Sequence, residues 1–159
     1  RANRLRYSPG MAGMPTPVPA TKADAAEVMV LQRCCWVSEA ISNNDLTIPP
    51  LRESLEQVRA WMPDAWVLRE DGRLIGAVRA SLDGEVWKIG RLMVAPDRQG
   101  EGLGGLLLRH AESHAPAAAA WHELFTGVAS VGNLGRYRHA GYQEVARVGG
   151  LVVLRKSVR

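Results

Sequence analysis

The sequence predicts an α/β protein in which a central, twisted, mostly antiparallel sheet is flanked by helices, within one domain spanning residues 16–159. Three observations carry this. Asp71-Gly72 and Asp83-Gly84 each sit between alternating apolar runs, which makes an antiparallel meander of strands over residues 65–70, 74–82 and 85–94. The stretch from Trp87 to His114, WKIGRLMVAPDRQGEGLGGLLLRHAESH, reads as strand, tight loop and a helix opened by glycines. Helical and extended patterns alternate through the remainder of the chain, which ends in a hairpin about Gly149-Gly150.

Each element has a local reason. Residues 1–15, RANRLRYSPGMAGMP, lack apolar periodicity and are expected to be a disordered or expression-derived tail, with Met11 and Met14 as alternative natural starts. Residues 16–20 form a short strand that Pro17 and Pro19 confine to a sheet edge. Asp24 opens a helix to about Ser42, with Ala25, Val28, Leu31, Cys35 and Ala40 on its buried side. A second helix over 51–61 follows Pro49-Pro50 and stops before Pro63. Beyond the glycine helix come a strand over 121–128, a short helix over 133–140 ended by Gly141, and strands over 142–148 and 151–156.

With 159 residues, 47% hydrophobic and 23% charged, the composition is that of a globular protein, and neither a membrane-length apolar run nor a signal peptide is visible. Cys34 and Cys35 are adjacent, which rules out an ordinary disulfide between them and gives no metal spacing; a reducing cytoplasm is expected. The net charge of +4 is uneven: residues 14–90 hold eight Lys and Arg against eleven acids, and residues 91–159 hold nine against five. The basic half is the one with the glycine cluster, so a phosphate-bearing cofactor accounts for it, and no nucleic acid is expected. His110, His114, His122 and His139 show neither metal spacing nor a Ser-His-Asp pattern, and no metal is expected.

Gly100, Gly102, Gly104 and Gly105 lie where loop becomes helix, so backbone N–H groups can approach an anion closely at the positive end of the helix. A Walker loop needs Lys and then Ser or Thr after its last glycine, and here Leu106 follows Gly105. Gly100-x-Gly102-x-x-Gly105 matches the dinucleotide fingerprint literally, but that fold needs parallel crossover units and an acid about 20 residues on at a strand end. A third pattern fits more of the chain. Gln99-Gly100-Glu101-Gly102-Leu103-Gly104 after Val94-Ala95-Pro96-Asp97-Arg98, together with Asn133-Leu134-Gly135-Arg136-Tyr137 and Gly141-Tyr142, resembles the acetyl-CoA-binding signature of the GNAT superfamily of N-acyltransferases.

The resemblance implies a GNAT-like fold and transfer of an acetyl group from acetyl-CoA to a primary amine by direct attack in a ternary complex. It implies cofactor binding by Leu92, Met93 and Val94 of the strand, by Arg98, Gln99, Gly100, Glu101, Gly102, Leu103 and Gly104 of the loop, and by Asn133 and Tyr137, with Tyr137 as the acid that protonates the thiolate. Asn133 and Tyr137 are four apart and share a helix face, and a phenol's pKa lies near a thiol's. Where many family members carry a Glu, this chain has Gly90 followed by Arg91. Glu85 and Glu123 are then the candidates for the base, and Arg91 for holding an acidic group of the acceptor. Asn44 and Asp45, between the first two helices, occupy a region that often lines the acceptor pocket in the family. The acceptor is a small-molecule or peptide amine, and a homodimer is common in the family. The alternatives are a non-catalytic acyl-CoA-binding regulator and a dinucleotide-binding protein.

Overall fold

The computed structural model describes residues 13–159, so the expected tail lies almost wholly outside the described residues. The strands are β1 (Val18–Pro19), β2 (Ala65–Glu70), β3 (Arg73–Asp83), β4 (Val86–Val94), β5 (Trp121–Gly127), β6 (Gln143–Val148) and β7 (Leu151–Ser157). The helices are α1 (Ala25–Ser42), α2 (Pro49–Arg52), α3 (Leu55–Trp61), α4 (Leu103–Ser113) and α5 (Val131–His139). One seven-stranded sheet runs in the order β1-β2-β3-β4-β5-β7-β6, and every neighbouring pair is antiparallel except β4 with β5.

The Asp-Gly turns form as expected. Asp71 at φ 50° and Gly72 at φ 79° give the two left-handed residues that match the twist of the β2–β3 hairpin. Gly141, at φ 95°, ends α5: its own N–H bonds Arg138 O at 3.0 Å and the Tyr142 N–H bonds Tyr137 O at 3.0 Å, which satisfies the last carbonyls. One expectation is corrected. The helix predicted over 51–61 is two helices, because Glu53 is extended at ψ 131° and Ser54 caps a fresh start, accepting from the Gln57 N–H at 3.2 Å while Gln57 Oε1 accepts from the Ser54 N–H at 2.8 Å. The break turns the Glu53 side chain inward.

Helices cover both faces of β2–β4, so β3 reads as one near-continuous apolar run. On one face α4 packs Leu103, Leu107, Leu108 and Ala111; on the other α1 packs Ala25, Val28 and Leu31. Gly76 is a point of contact: a Cβ there would stand 2.9 Å from Leu107 Cδ1 and 3.1 Å from Met93 O. Gly76→Ala therefore overpacks the α4–β3 seam and is expected to destabilise the protein by ~1–3 kcal/mol, read as a thermal midpoint lower by about 2–4 °C per kcal/mol. An unchanged midpoint would show that the seam has slack.

The feature that places the site is a fork. β4 and β5 pair only at Val86↔Trp121, Trp87↔His122 and Lys88↔Glu123. On its other edge β4 carries a bulge, because the pairing passes from Ala77↔Met93 to Arg79↔Gly90, leaving Arg91 and Leu92 opposite Val78. Arg91 sits at φ 49°, a left-handed conformation that costs a side-chain-bearing residue ~1–2 kcal/mol. The bulge bends the second half of β4, and from Ile89 onward β4 and β5 no longer pair.

Candidate active site

The open fork takes the β5 ladder away from the edge of β4 along Leu92, Met93 and Val94, while Met93 and Val94 keep their register with Ala77 and Gly76 of β3. Met93 is buried, and Leu92 and Val94 are half-buried. Two donors already converge on the tip: Val94 O accepts from the Cys35 thiol at 3.2 Å and from Gln99 Nε2 at 3.4 Å.

The glycine loop follows directly. A short turn at Pro96–Arg98 is fixed by Arg98 N–H to Ala95 O at 2.8 Å and by a bidentate Arg73–Asp97 pair at 2.7 and 2.6 Å, and the Arg73 guanidinium holds the Asp97 carboxyl down to about 2. Gly100 and Gly102 both adopt φ 83°, and Gly102 is the left-handed residue from which α4 starts. No side chain caps α4 and no acid lies in its first turn, so the N–H groups of Leu103, Gly104 and Gly105 are available to an anion.

The Arg98 side chain, expected to meet phosphate, is held between Glu70, bonded to its Nη1, and Glu101, 2.8 Å from its Nε. These contacts tie the loop to β2. Arg109, which sequence reasoning missed, folds back over the first turn of α4 with Nη1 3.1 Å from the place a Gly105 Cβ would take, and it makes no ion pair among the described residues. Its i+4 spacing from Gly105 was the available signal.

On the β5 side of the fork, Asn133 Nδ2 reaches Thr126 Oγ1 at 3.4 Å and its Oδ1 accepts from Arg136. Tyr137 is half-buried and edge-on to Tyr142, with ring centroids 6.3 Å apart. Burial pushes the Tyr137 phenol up to about 12, with the charge of Glu39 adding to the rise and Arg136 opposing it. The phenol therefore lies well above a thiol rather than near it.

The two carboxylates expected to act as base are elsewhere. Glu85 is exposed at the β3–β4 turn, before the first paired residue of β4, and Glu123 pairs with Lys88 in the closed part of the fork with its carboxylate 2.7 Å from Arg155 Nε. Glu85 lies beyond the paired rungs from the tips, and Glu123 stands on the last of those rungs. The carboxylate at the opening is Glu39 of α1, whose Oε1 accepts from the Gly127 N–H at 3.0 Å, at the end of β5. Sequence reasoning passed over it; the signal was the polar series Gln32, Cys35, Glu39 at core-face spacing on a mostly buried helix side.

In the α1–α2 connection Asp45 uses its carboxylate locally, accepting from Thr47 N–H at 2.8 Å and Thr47 Oγ1 at 2.6 Å, and Asn44 turns the chain at φ 51°. Both line an open depression with Ala40, Ile41, Leu46 and Thr47. Arg91 does reach the α1 side of the sheet, where Nη2 pairs with Glu53 Oε1 at 3.1 Å. Burial raises the Glu53 pKa, but hydrogen bonds from Gln32 and Arg91 outweigh it and hold the carboxyl below its usual range.

A bulged strand that splays from its parallel neighbour and leads into an uncapped, glycine-opened helix has the geometry that suits a phosphate-bearing ligand. The model of the Acetyltransferase (GNAT) family matches residues 26–142, and the chain belongs to that family. No curated protein sequence matches it. Among solved structures it is similar to an acetyltransferase from Thermus thermophilus (TM-score 0.73, 17% identity, 91% of this chain and 97% of that one). It is also similar to PaiA N-acetyltransferase from Thermoplasma acidophilum in complex with coenzyme A (TM-score 0.70, 15% identity, 91% and 99%). N-acetylglutamate synthase from Neisseria gonorrhoeae, complexed with coenzyme A and N-acetyl-glutamate, matches with TM-score 0.73 and 16% identity over 92% of this chain, which spans 36% of that longer one. At these identities the likeness is one of fold. The dinucleotide alternative falls with the sheet, whose single parallel pair provides none of the successive crossover units that fold requires. Among the described residues no helix is long and apolar enough to cross a membrane, and no group of three metal-ligating side chains occurs.

Proposed function

We propose that this protein transfers an acetyl group from acetyl-CoA to the primary amine of its acceptor within a ternary complex. The observation that carries the reading is the fork between β4 and β5, which opens directly onto the uncapped N-terminus of α4. The first-turn N–H groups, with Arg109 beside them, suit the pyrophosphate; the edge of β4 that β5 leaves open at Leu92–Val94 suits the pantetheine arm and offers an N–H to the thioester oxygen as it becomes an oxyanion.

The amine nitrogen attacks the thioester carbon, and the C–S bond breaks as the tetrahedral centre collapses. Glu39 takes the proton the amine loses, directly or through one water, and Tyr137 gives a proton to the departing sulfur, leaving an amide and free CoA. Burial raises the Cys35 thiol to about 11, so it is not a thiolate at neutral pH and no acyl-enzyme is expected. The two free thiols suit a reducing compartment, the cytoplasm.

The test is thiol release from acetyl-CoA over a panel of amines, with both substrates varied. Intersecting initial-rate lines are expected; parallel lines would overturn the ternary complex. Acetyl-CoA that binds without releasing thiol with any amine would leave a regulatory acyl-CoA binder in place of an enzyme.

A further inference from the structure

Under α1, about one turn from Cys35 and the fork tip, lies a buried polar cluster that the transfer chemistry leaves unexplained. Gln32 on α1 is 1% exposed and donates from Nε2 to Pro50 O at 3.0 Å and to Glu53 Oε2 at 2.7 Å, which leaves its Oε1 buried without a partner. Arg91 donates from Nη2 to Glu53 Oε1 at 3.1 Å, and its Nε is buried without an acceptor. Arg79 lies beside Gly90, where a Cβ would be 4.0 Å from its Nε, and stands over the Trp61 ring at 5.1 Å from the centroid. It makes no ion pair among the described residues; the acids it feels are Glu53, already shared between Gln32 and Arg91, and exposed Asp64.

The cluster thus sets two guanidinium groups against one committed carboxylate, with two buried donors, Arg91 Nε and Trp61 Nε1, and one buried acceptor, Gln32 Oε1, unfilled. Buried groups of this kind are nearly always bonded, because leaving them unpaired forfeits their hydration with nothing in exchange. We infer that the acceptor is a small amine bearing a carboxylate, an amino acid or close analogue, whose carboxylate is received by Arg79 and the Nε of Arg91. This rests on the acetyltransferase reading above. Planar guanidinium groups suit a carboxylate, and Arg79, stacked on Trp61, is held ready for it.

The distances fit a short molecule. Gln32 is one turn before Cys35, whose thiol touches Val94 O at the fork tip, and Arg91 is three residues before Val94 on the same strand. One helical turn is about 5.4 Å and three strand residues span about 10 Å, a separation that a short amino acid bridges together with the reach of the arginine side chains. The unfilled Gln32 Oε1 is placed to take an N–H from the same molecule.

The experiment compares each standard α-amino acid with its own carboxamide as acceptor. The best amino acid is expected to exceed its carboxamide in kcat/KM by at least about tenfold. Arg79→Met should bring that ratio close to one, and Arg79→Lys, which keeps the charge, should hold much of it; the melting transition of each variant checks its fold. A ratio near one in the native protein, or an undiminished ratio in Arg79→Met, overturns the inference. If no amine is turned over, the same pairs are compared by the shift each gives in the melting of the CoA-saturated protein. Shifts by the amino acids alone support the carboxylate site, and equal shifts or none overturn it. Loss of the CoA shift itself would instead overturn the acetyltransferase reading.

Discussion

Gly102→Val abolishes the stabilisation that acetyl-CoA gives the native protein. Saturation at one hundred times Kd stabilises a folded protein by about 2.7 kcal/mol, a rise of about 5–10 °C in the thermal midpoint for a domain of this size. Gly102 starts α4 at φ 83°, and a Cβ there meets nothing within 4 Å, so the apo protein feels only the backbone strain of ~1–2 kcal/mol. The added methyls stand beside the first-turn N–H groups, where the phosphates must come close, so the ligand shift disappears while folding survives. Gly84→Val is the matched control. Gly84 is also left-handed, at φ 60°, and also faces open space, but it lies at the β3–β4 turn, the far end of the strand from the loop. It should lose comparable stability and keep the full acetyl-CoA shift. Equal shifts in both variants would remove the loop from the binding site.

The parts of the fold set by neighbours in sequence were legible, and those set by distant contacts were not. Asp71-Gly72, the glycines opening α4 and Gly141 each dictate a left-handed backbone locally, and all three devices form where the pattern places them. The interruption at Glu53 had a local signature as well, in the Ser54-x-x-Gln57 capping box, which the apolar spacing across 51–61 concealed. The bulge at Arg91 had none: an arginine at φ 49° is held there by β3 and by an ion pair to Glu53, 38 residues away in the chain. The capture of Arg98 by Glu70 and the seating of Glu39 on Gly127, 88 residues apart, are likewise products of packing. Charge type and motif spacing located the glycine loop at the start of α4. Which carboxylates approach the fork depended on how α1 crosses the sheet, and spacing carries no information about that.

At the centre of the fork the decisive comparison is Tyr137→Phe against Glu39→Gln. A positioned acid or base contributes about 10²–10⁴-fold, so each variant should lower kcat by an amount in that range with little change in KM for acetyl-CoA. Their pH dependences differ in a way that separates the roles. With its phenol raised to about 12, Tyr137 is fully protonated below the ordinary phenol range near 10 and loses its proton only as pH rises through the higher value. The native rate therefore has no falling limb from this group across the usual assay range, and Tyr137→Phe should depress the whole profile without changing its shape. The same raised pKa favours the folded state below about pH 10, an advantage lost as pH rises toward 12. Glu39→Gln removes a proton acceptor that is needed only while the amine arrives protonated. Its defect should be greatest near neutral pH and shrink toward the pKa of a simple primary amine, about 10.4, where solvent has already taken the proton. A deficit independent of pH would mean that Glu39 serves only to hold the Gly127 N–H, and a Tyr137→Phe rate within a few-fold of native would mean that the ring is there to pack against Tyr142.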